Sequence, residues 1–163
     1  MAPNRSYRVL IFEDSNVIRK ILWEYFDSLN YEVFTFPHPK SCALCGSHSC
    51  NCSTQEACAD IIIADLNMPF VKGLDFIEQQ IKKGCKVNAY ALMSGDLTGV
   101  NPERAKKLGI ELFQKPFDIS ELSEWVKKAE KQIPDDRLLS NWAFFDNRLL
   151  SNSAPHGETG IRN

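Results

Sequence analysis

Five short apolar runs, Arg8–Phe12, Glu32–Phe36, Ile61–Ala64, Asn88–Met93 and Glu111–Gln114, recur along the chain between longer stretches of helical period. Runs this brief and this rich in β-branched and aromatic residues suit strands buried on both faces, and the intervening stretches supply the covering helices. Such alternation predicts an α/β fold with a doubly wound parallel sheet. Ser15 is a good N-cap for a first helix running to about Leu29, in which Val17, Ile18, Ile21, Leu22, Tyr25, Phe26 and Leu29 recur at the spacing of one buried stripe. Leu74, Phe76, Ile77 and Ile81 mark a third helix ending near Gly84, and Asn101–Leu108 a fourth closed by Gly109. Asp118 or Ser120 caps the last helix, whose core face is Leu122, Trp125, Val126 and Ala129, and Pro134 stops it.

Two segments break the rhythm. Pro37 to Ala59 should hold the second helix, yet it is crowded with Cys, Ser and Pro and shows little helical period before Thr54. The tail from residue 133 onward repeats Arg-Leu-Leu-Ser-Asn at 137–141 and 148–152. A spacing of about eleven residues is close to three helical turns, so a helix would bring both Leu-Leu pairs and Trp142, Phe144 or Phe145 to one side. A tail without such structure is the other reading, and residues after about Asn152 read as disordered.

Composition excludes several function classes. With 163 residues the chain has room for one domain and a short appendage, and 19 basic against 21 acidic residues leave a net charge of −2. No segment carries a basic stripe, so direct nucleic-acid binding is not expected. The apolar runs are too short to cross a membrane, and the opening Met-Ala-Pro-Asn-Arg lacks a charged-then-apolar leader pattern. The expectation is a soluble cytoplasmic protein.

In an open parallel sheet, ligands bind beyond the carboxyl ends of the strands. Glu13 and Asp14 follow the first run, Asp65 the third, Ser94 the fourth, and Lys115 with Pro116 the fifth. Three carboxylates from two strand ends suit a hard divalent cation with oxygen ligands, and Mg²⁺ is the common intracellular choice. Asp65 can then attack a phosphoryl donor to form an acyl phosphate, with Lys115 neutralising the phosphoryl oxygens and Ser94 donating a hydrogen bond to them. Any one of these residues alone reads equally well as a helix cap or a solvated loop residue; their combination in chain order carries the argument.

At these residues the chain resembles the receiver domain family of response regulators. The resemblance rests on Val-Leu-Ile-Phe-Glu-Asp-Ser (9–15), Asp-Ile-Ile-Ile-Ala-Asp-Leu-Asn-Met-Pro (60–69), Gly73, Ser94 and Lys115-Pro116-Phe117, and covers about residues 6–132. It implies a flavodoxin-like (βα)5 fold with Asp65 as phosphorylation site, Glu13, Asp14 and Asp65 as Mg²⁺ ligands, and the Asn67 main-chain carbonyl as a further ligand. It also implies a sensor histidine kinase or phosphotransfer protein as donor, and Asn67 and Asp96 at positions that modulate self-dephosphorylation. One departure is Leu112, where the family carries Tyr or Phe as a ring that turns inward on activation. Phe113 beside it should point to the opposite face of its strand.

The second departure is Cys42-x2-Cys45-x4-Cys50-x-Cys52, with His48 inside it and Cys58 six residues beyond. Closely spaced thiolate pairs of this kind make a tetrahedral structural Zn²⁺ site, with an iron–sulfur site or metal-free thiols as alternatives. Such a site would replace the second helix by a metal-binding knuckle. His48 reads as a loop residue and Cys85 as an ordinary half-buried one. The leading expectation is a phosphorylation-controlled switch, not an enzyme acting on a separate substrate, whose output is protein–protein interaction because no effector domain follows residue 132. A constitutive interaction scaffold is the alternative, which Leu112 favours slightly. An aspartate-nucleophile phosphatase would want a second acid two residues after its nucleophile, and position 67 is Asn.

Overall fold

In a computed structural model that describes residues 6–42 and 56–140, each of the five apolar runs is a strand of one parallel sheet. The elements run β1 (Arg8–Phe12), α1 (Asn16–Ser28), β2 (Glu32–Phe36), a 3₁₀ turn (Pro39–Ser41), β3 (Glu56–Ala57), β4 (Ile61–Asp65), α2 (Gly73–Lys82), β5 (Ala89–Ser94), α3 (Pro102–Lys107), β6 (Ile110–Gln114), α4 (Ile119–Gln132) and β7 (Leu138–Leu139). The main sheet has the order β2-β1-β4-β5-β6, with every pair parallel. The order reverses at β1, so the crevice outside β1 and β4 is the switch point where a ligand would sit.

Side chains alternate across the sheet and fill two cores. Leu10, Phe12, Phe34, Ile62 and Leu92 pack with Leu74, Phe76 and Ile77 of α2 and Ala105 of α3. Val9, Ile11, Ile61, Ile63 and Met93 pack on the other face with Leu22 and Phe26 of α1 and Leu122, Val126 and Ala129 of α4. Both faces are covered, which is why β1, β4 and β5 are buried along their whole length and read as unbroken apolar runs. The expected caps are present: Ser15, Asn101 and Asp118 each accept a backbone N–H of the first turn of their helices.

The irregular segments depart from expectation. Among the described residues between β2 and β4 there is only the 3₁₀ turn and β3; Cys42 is fully buried, while Cys45, His48, Cys50 and Cys52 lie outside the described residues. The helix expected from the tail's eleven-residue repeat is corrected at its first copy, since Leu138–Leu139 is extended and pairs in parallel with Glu56–Ala57. The reason is a distant anchor. Arg137 donates through Nε and Nη2 to the two oxygens of Asp60, both at 2.8 Å, and Arg8 Nη1 donates to the Ser140 carbonyl at 2.7 Å. Pinned at both ends across the amino-terminal edge of the sheet, residues 137–140 have no room to coil. The second copy, with Trp142, Phe144 and Phe145, lies outside the described residues.

Candidate functional site

The strand-end residues singled out above converge at the switch point. Glu13, one residue past β1, is 1% exposed, and Asp65, the last residue of β4, is 7% exposed. Asp14 is exposed, and one carboxylate oxygen from each of Glu13, Asp14 and Asp65 lies within 4.8 Å of the others. Lys115 reaches between them: its Nζ donates to Glu13 Oε2 at 2.7 Å and to Asp65 Oδ1 at 3.1 Å. The lysine is set in place by its own backbone, whose N–H donates to the Ser94 carbonyl at 2.7 Å, and the Lys115–Pro116 peptide bond is cis.

The electrostatics follow from the count of charges. Burial raises the carboxyl pKa of both Glu13 and Asp65, and the opposing pull of Lys115 does not cancel it. Burial alone would lower the Lys115 pKa, and the two carboxylates together hold it above the ordinary lysine value. Three carboxylates and one ammonium leave two negative charges uncompensated, which is the charge of one divalent cation. An all-oxygen donor set of this kind, open on the Asp14 side, fits Mg²⁺.

A pH dependence follows. A carboxyl whose folded pKa is raised keeps a proton that the unfolded chain has already lost, so it favours folding at low pH and costs stability as pH rises through its folded value. Lys115 works at the other end, its contribution complete below the ordinary value of 10.5 and lost above its raised folded value. In Mg²⁺-free buffer at neutral pH, Asp65→Asn should therefore melt a few degrees above the wild type. The gap should close as pH falls toward the ordinary Asp65 value of 3.8, and Mg²⁺ should reverse it at neutral pH. Thermal melts of the two proteins, read as a difference so that other titrating groups cancel, test this; a wild type that melts higher without Mg²⁺ at neutral pH contradicts it.

Ser94 and Asn67 sit at the same opening. Ser94 Oγ is engaged by its own loop, donating to the Asp96 carbonyl at 2.9 Å and accepting from the Asp96 N–H at 3.1 Å, with Asn67 Nδ2 at 3.5 Å. Asp96 in turn accepts from the N–H and hydroxyl of Thr98, which holds its carboxyl below the ordinary value. Leu112 is half-buried against the α2/α3 face, whereas Phe113 is buried on the other face with Phe117 and Trp125. The ring at 113 therefore lies on the wrong side of β6 to replace one at 112.

Sequence reasoning missed two features of the site. Lys72 Nζ donates to Asn67 Oδ1 at 2.7 Å, turning the amide nitrogen toward Ser94. Phe70 is 68% exposed with a left-handed backbone (φ 75°), beside the His38 ring and under the Lys40 ammonium at 4.3 Å. The Pro-Phe-Val-Lys-Gly stretch between β4 and α2 gave no period from which to place either.

The receiver-domain model of response regulators matches residues 9–127. The chain belongs to the response regulator receiver domain family. The receiver is 29% identical over 127 residues, 74% of this chain and 91% of the relative, to sporulation initiation phosphotransferase F of Bacillus subtilis. Among solved structures it is similar to the chemotaxis protein CheY4 of Vibrio cholerae, at 24% identity and TM-score 0.60 over 77% of this chain and 99% of that one. It is also similar to the response regulator TrrA of Thermotoga maritima in complex with Mg²⁺ and BeF, at 24% identity and TM-score 0.59 over 76% and 98% of the two chains. Membership of this family makes the protein a phosphoacceptor module of two-component signalling, with the flavodoxin-like fold of its neighbours.

Proposed function

We propose that Asp65 is the phosphoacceptor, with Glu13, Asp14, Asp65 and the Asn67 carbonyl as the Mg²⁺ site and Ser94 and Lys115 as the groups that read the phosphoryl oxygens. The observation that carries this reading is Lys115 bridging Glu13 and Asp65 beside the three-carboxylate cluster. An Asp65 oxygen attacks the phosphorus of a phosphohistidine, the P–N bond breaks as the O–P bond forms, and the leaving imidazole takes up a proton. Bound Mg²⁺ supplies compensating charge to the phosphoryl oxygens. Lys115 gives up its contact with Asp65 to a phosphoryl oxygen, and Ser94 exchanges its bond to the Asp96 carbonyl for another. That exchange frees residues 95–99 and makes the loop the moving part of the switch, which suits a chain with Leu112 in place of a ring.

The donor in this reading is a sensor histidine kinase or phosphotransfer protein, and the output is binding to a downstream protein. Exposed Val17 and Ile21 on α1 and Phe70 beside the opening give such a donor an apolar footing. Among the described residues no helix is long and apolar enough to cross a membrane, and a cytoplasmic location is part of the proposal. The cysteine motif is read as a structural Zn²⁺ site, supported by its spacing; Cys42→Ser with Cys45→Ser should release the metal. Intact-mass spectrometry with a small phosphoryl donor and Mg²⁺ tests the phosphoacceptor. One phosphoryl group gained by the wild type and none by Asp65→Asn is the expected result; no gain by either protein would favour the constitutive scaffold.

A further inference from the structure

Asn67 and Lys72 face each other across the loop from β4 to α2 as an isolated antiparallel bridge. Side chains opposite one another in such a pair share one face and stand within bonding reach, and Lys72 Nζ donates to Asn67 Oδ1 at 2.7 Å. The Gly73 N–H closes the same loop on the Leu66 carbonyl at 2.8 Å. The loop turns through Phe70 in a left-handed conformation (φ 75°), which a residue other than glycine holds only where its surroundings dictate it. Backbone geometry, not a chance rotamer, therefore delivers the Lys72 ammonium to the amide. We propose that Lys72 is a positioning residue for the phosphoryl group: it keeps the Asn67 side-chain carbonyl turned away from Ser94 and so slows hydrolysis of the acyl phosphate. The proposal rests on the phosphoacceptor reading of Asp65 and deepens it.

The charges around Lys72 leave its ammonium to this one task. Asn67, Lys72, Asp75, Asp96 and Arg104 line a polar cavity of about 440 Å³. Both acids there are already engaged: Asp75 accepts from Arg104 at 2.9 Å, and Asp96 accepts from the N–H and hydroxyl of Thr98 at 2.9 and 2.6 Å. With Oδ1 committed to the ammonium, the Asn67 amide nitrogen points toward Ser94 Oγ, 3.5 Å away. That nitrogen only donates, so it can bond a phosphoryl oxygen but cannot accept a hydrogen bond from water. Hydrolysis needs an acceptor. A water oxygen attacks phosphorus, the bond from phosphorus to the Asp65 oxygen breaks with its electron pair returning to the carboxylate, and one water proton passes to solvent while the other stays on the released phosphate. An amide carbonyl turned toward the phosphoryl group would accept from that water and align it for attack. The cavity has the room and the polar walls to supply such a water beside Asn67.

The test is the lifetime of the phosphoryl group on the full chain. The wild type, Lys72→Met, Lys72→Arg, Asn67→Ala and Lys72→Met with Asn67→Ala are loaded with acetyl phosphate and Mg²⁺, freed of the donor by gel filtration and followed by intact mass. Lys72→Met should shorten the lifetime by about 2–10-fold, the change in rate that one net hydrogen bond corresponds to. Lys72→Arg should keep most of the wild-type lifetime, because a guanidinium can donate to the same oxygen. In the Asn67→Ala background Lys72→Met should have no further effect, an outcome that a lysine acting by charge alone or by holding the loop would not give. Asn67 and Lys72 are both exposed, so melting temperatures should stay at the wild-type value. An unchanged or longer lifetime in Lys72→Met overturns the proposal, and so does an equal shortening in the Asn67→Ala background. A wild type that takes up no phosphoryl group overturns the phosphoacceptor reading, and this proposal with it.

Discussion

Asp60→Ala should lower the folding stability of the receiver by about 3–5 kcal/mol, the range measured when one partner of a buried ion pair is removed. Asp60 is fully buried at the entry to β4. Its carboxylate accepts from Arg137 through both oxygens and from the Arg8 N–H at 2.9 Å, while its backbone accepts from the N–H groups of Asn88 and Ala89. The side chain thus joins β1 to the tail, and the backbone of the same residue holds the start of β5. Alanine leaves a guanidinium that is only 14% exposed without its counter-ion, and the buried Arg8 N–H without its side-chain acceptor. The β3–β7 pairing should loosen with it, because the remaining partners of the Arg137 side chain, the Ser6 carbonyl at 2.9 Å and the Tyr7 ring, do not replace a buried counter-ion. Urea denaturation gives the loss. Phosphorylation at Asp65 should survive in cold buffer, since the site is at the opposite end of the strands. A loss under about 1 kcal/mol, the size of an exposed pair, would show that the anchor is solvated and that the tail strand forms for some other reason.

The same anchor shows where sequence reading runs out. The strands were legible because burial on both faces leaves each as an unbroken apolar run, and the site because α/β topology sends the residues after those runs to one crevice. The boundaries slipped by one residue at the functional positions. Asp65 and Ser94 are the last residues of β4 and β5, still in register with Met93 and Gln114, although a polar residue ends an apolar pattern. Leu138–Leu139 was illegible in principle: its conformation is decided by an ion pair spanning 77 residues, and a Leu-Leu pair carries no periodicity of its own. Lys115 was found from its place after the fifth run, but the resting bond of Ser94 to Asp96 depends on loop geometry that residue types do not encode.

Gly73→Ala should damage stability and chemistry together, and this separates it from Asp60→Ala. A Cβ at position 73 would stand 2.3 Å from the Asp65 carbonyl oxygen and 2.8 Å from Leu92 Cδ2. The leucine can shift, but the carbonyl belongs to the backbone of Asp65, the proposed phosphoacceptor. Gly73 also donates its N–H to the Leu66 carbonyl at 2.8 Å, so the first residue of α2 is bonded to the same turn that the methyl would push away. Overpacking of this kind costs about 1–3 kcal/mol when neighbours yield, and more here because one neighbour is a main chain. A displacement of about 1 Å at Asp65 is enough to slow in-line transfer on the order of 100-fold. Gly84 and Gly109, with left-handed backbones and open space within 4 Å of where a methyl would stand, are the controls: alanine there should cost about 1 kcal/mol and leave the phosphorylation rate unchanged. Equal rates for Gly73→Ala and the wild type would mean that α2 can move away without carrying Asp65, and that the close approach is a packing convenience with no part in holding the acceptor.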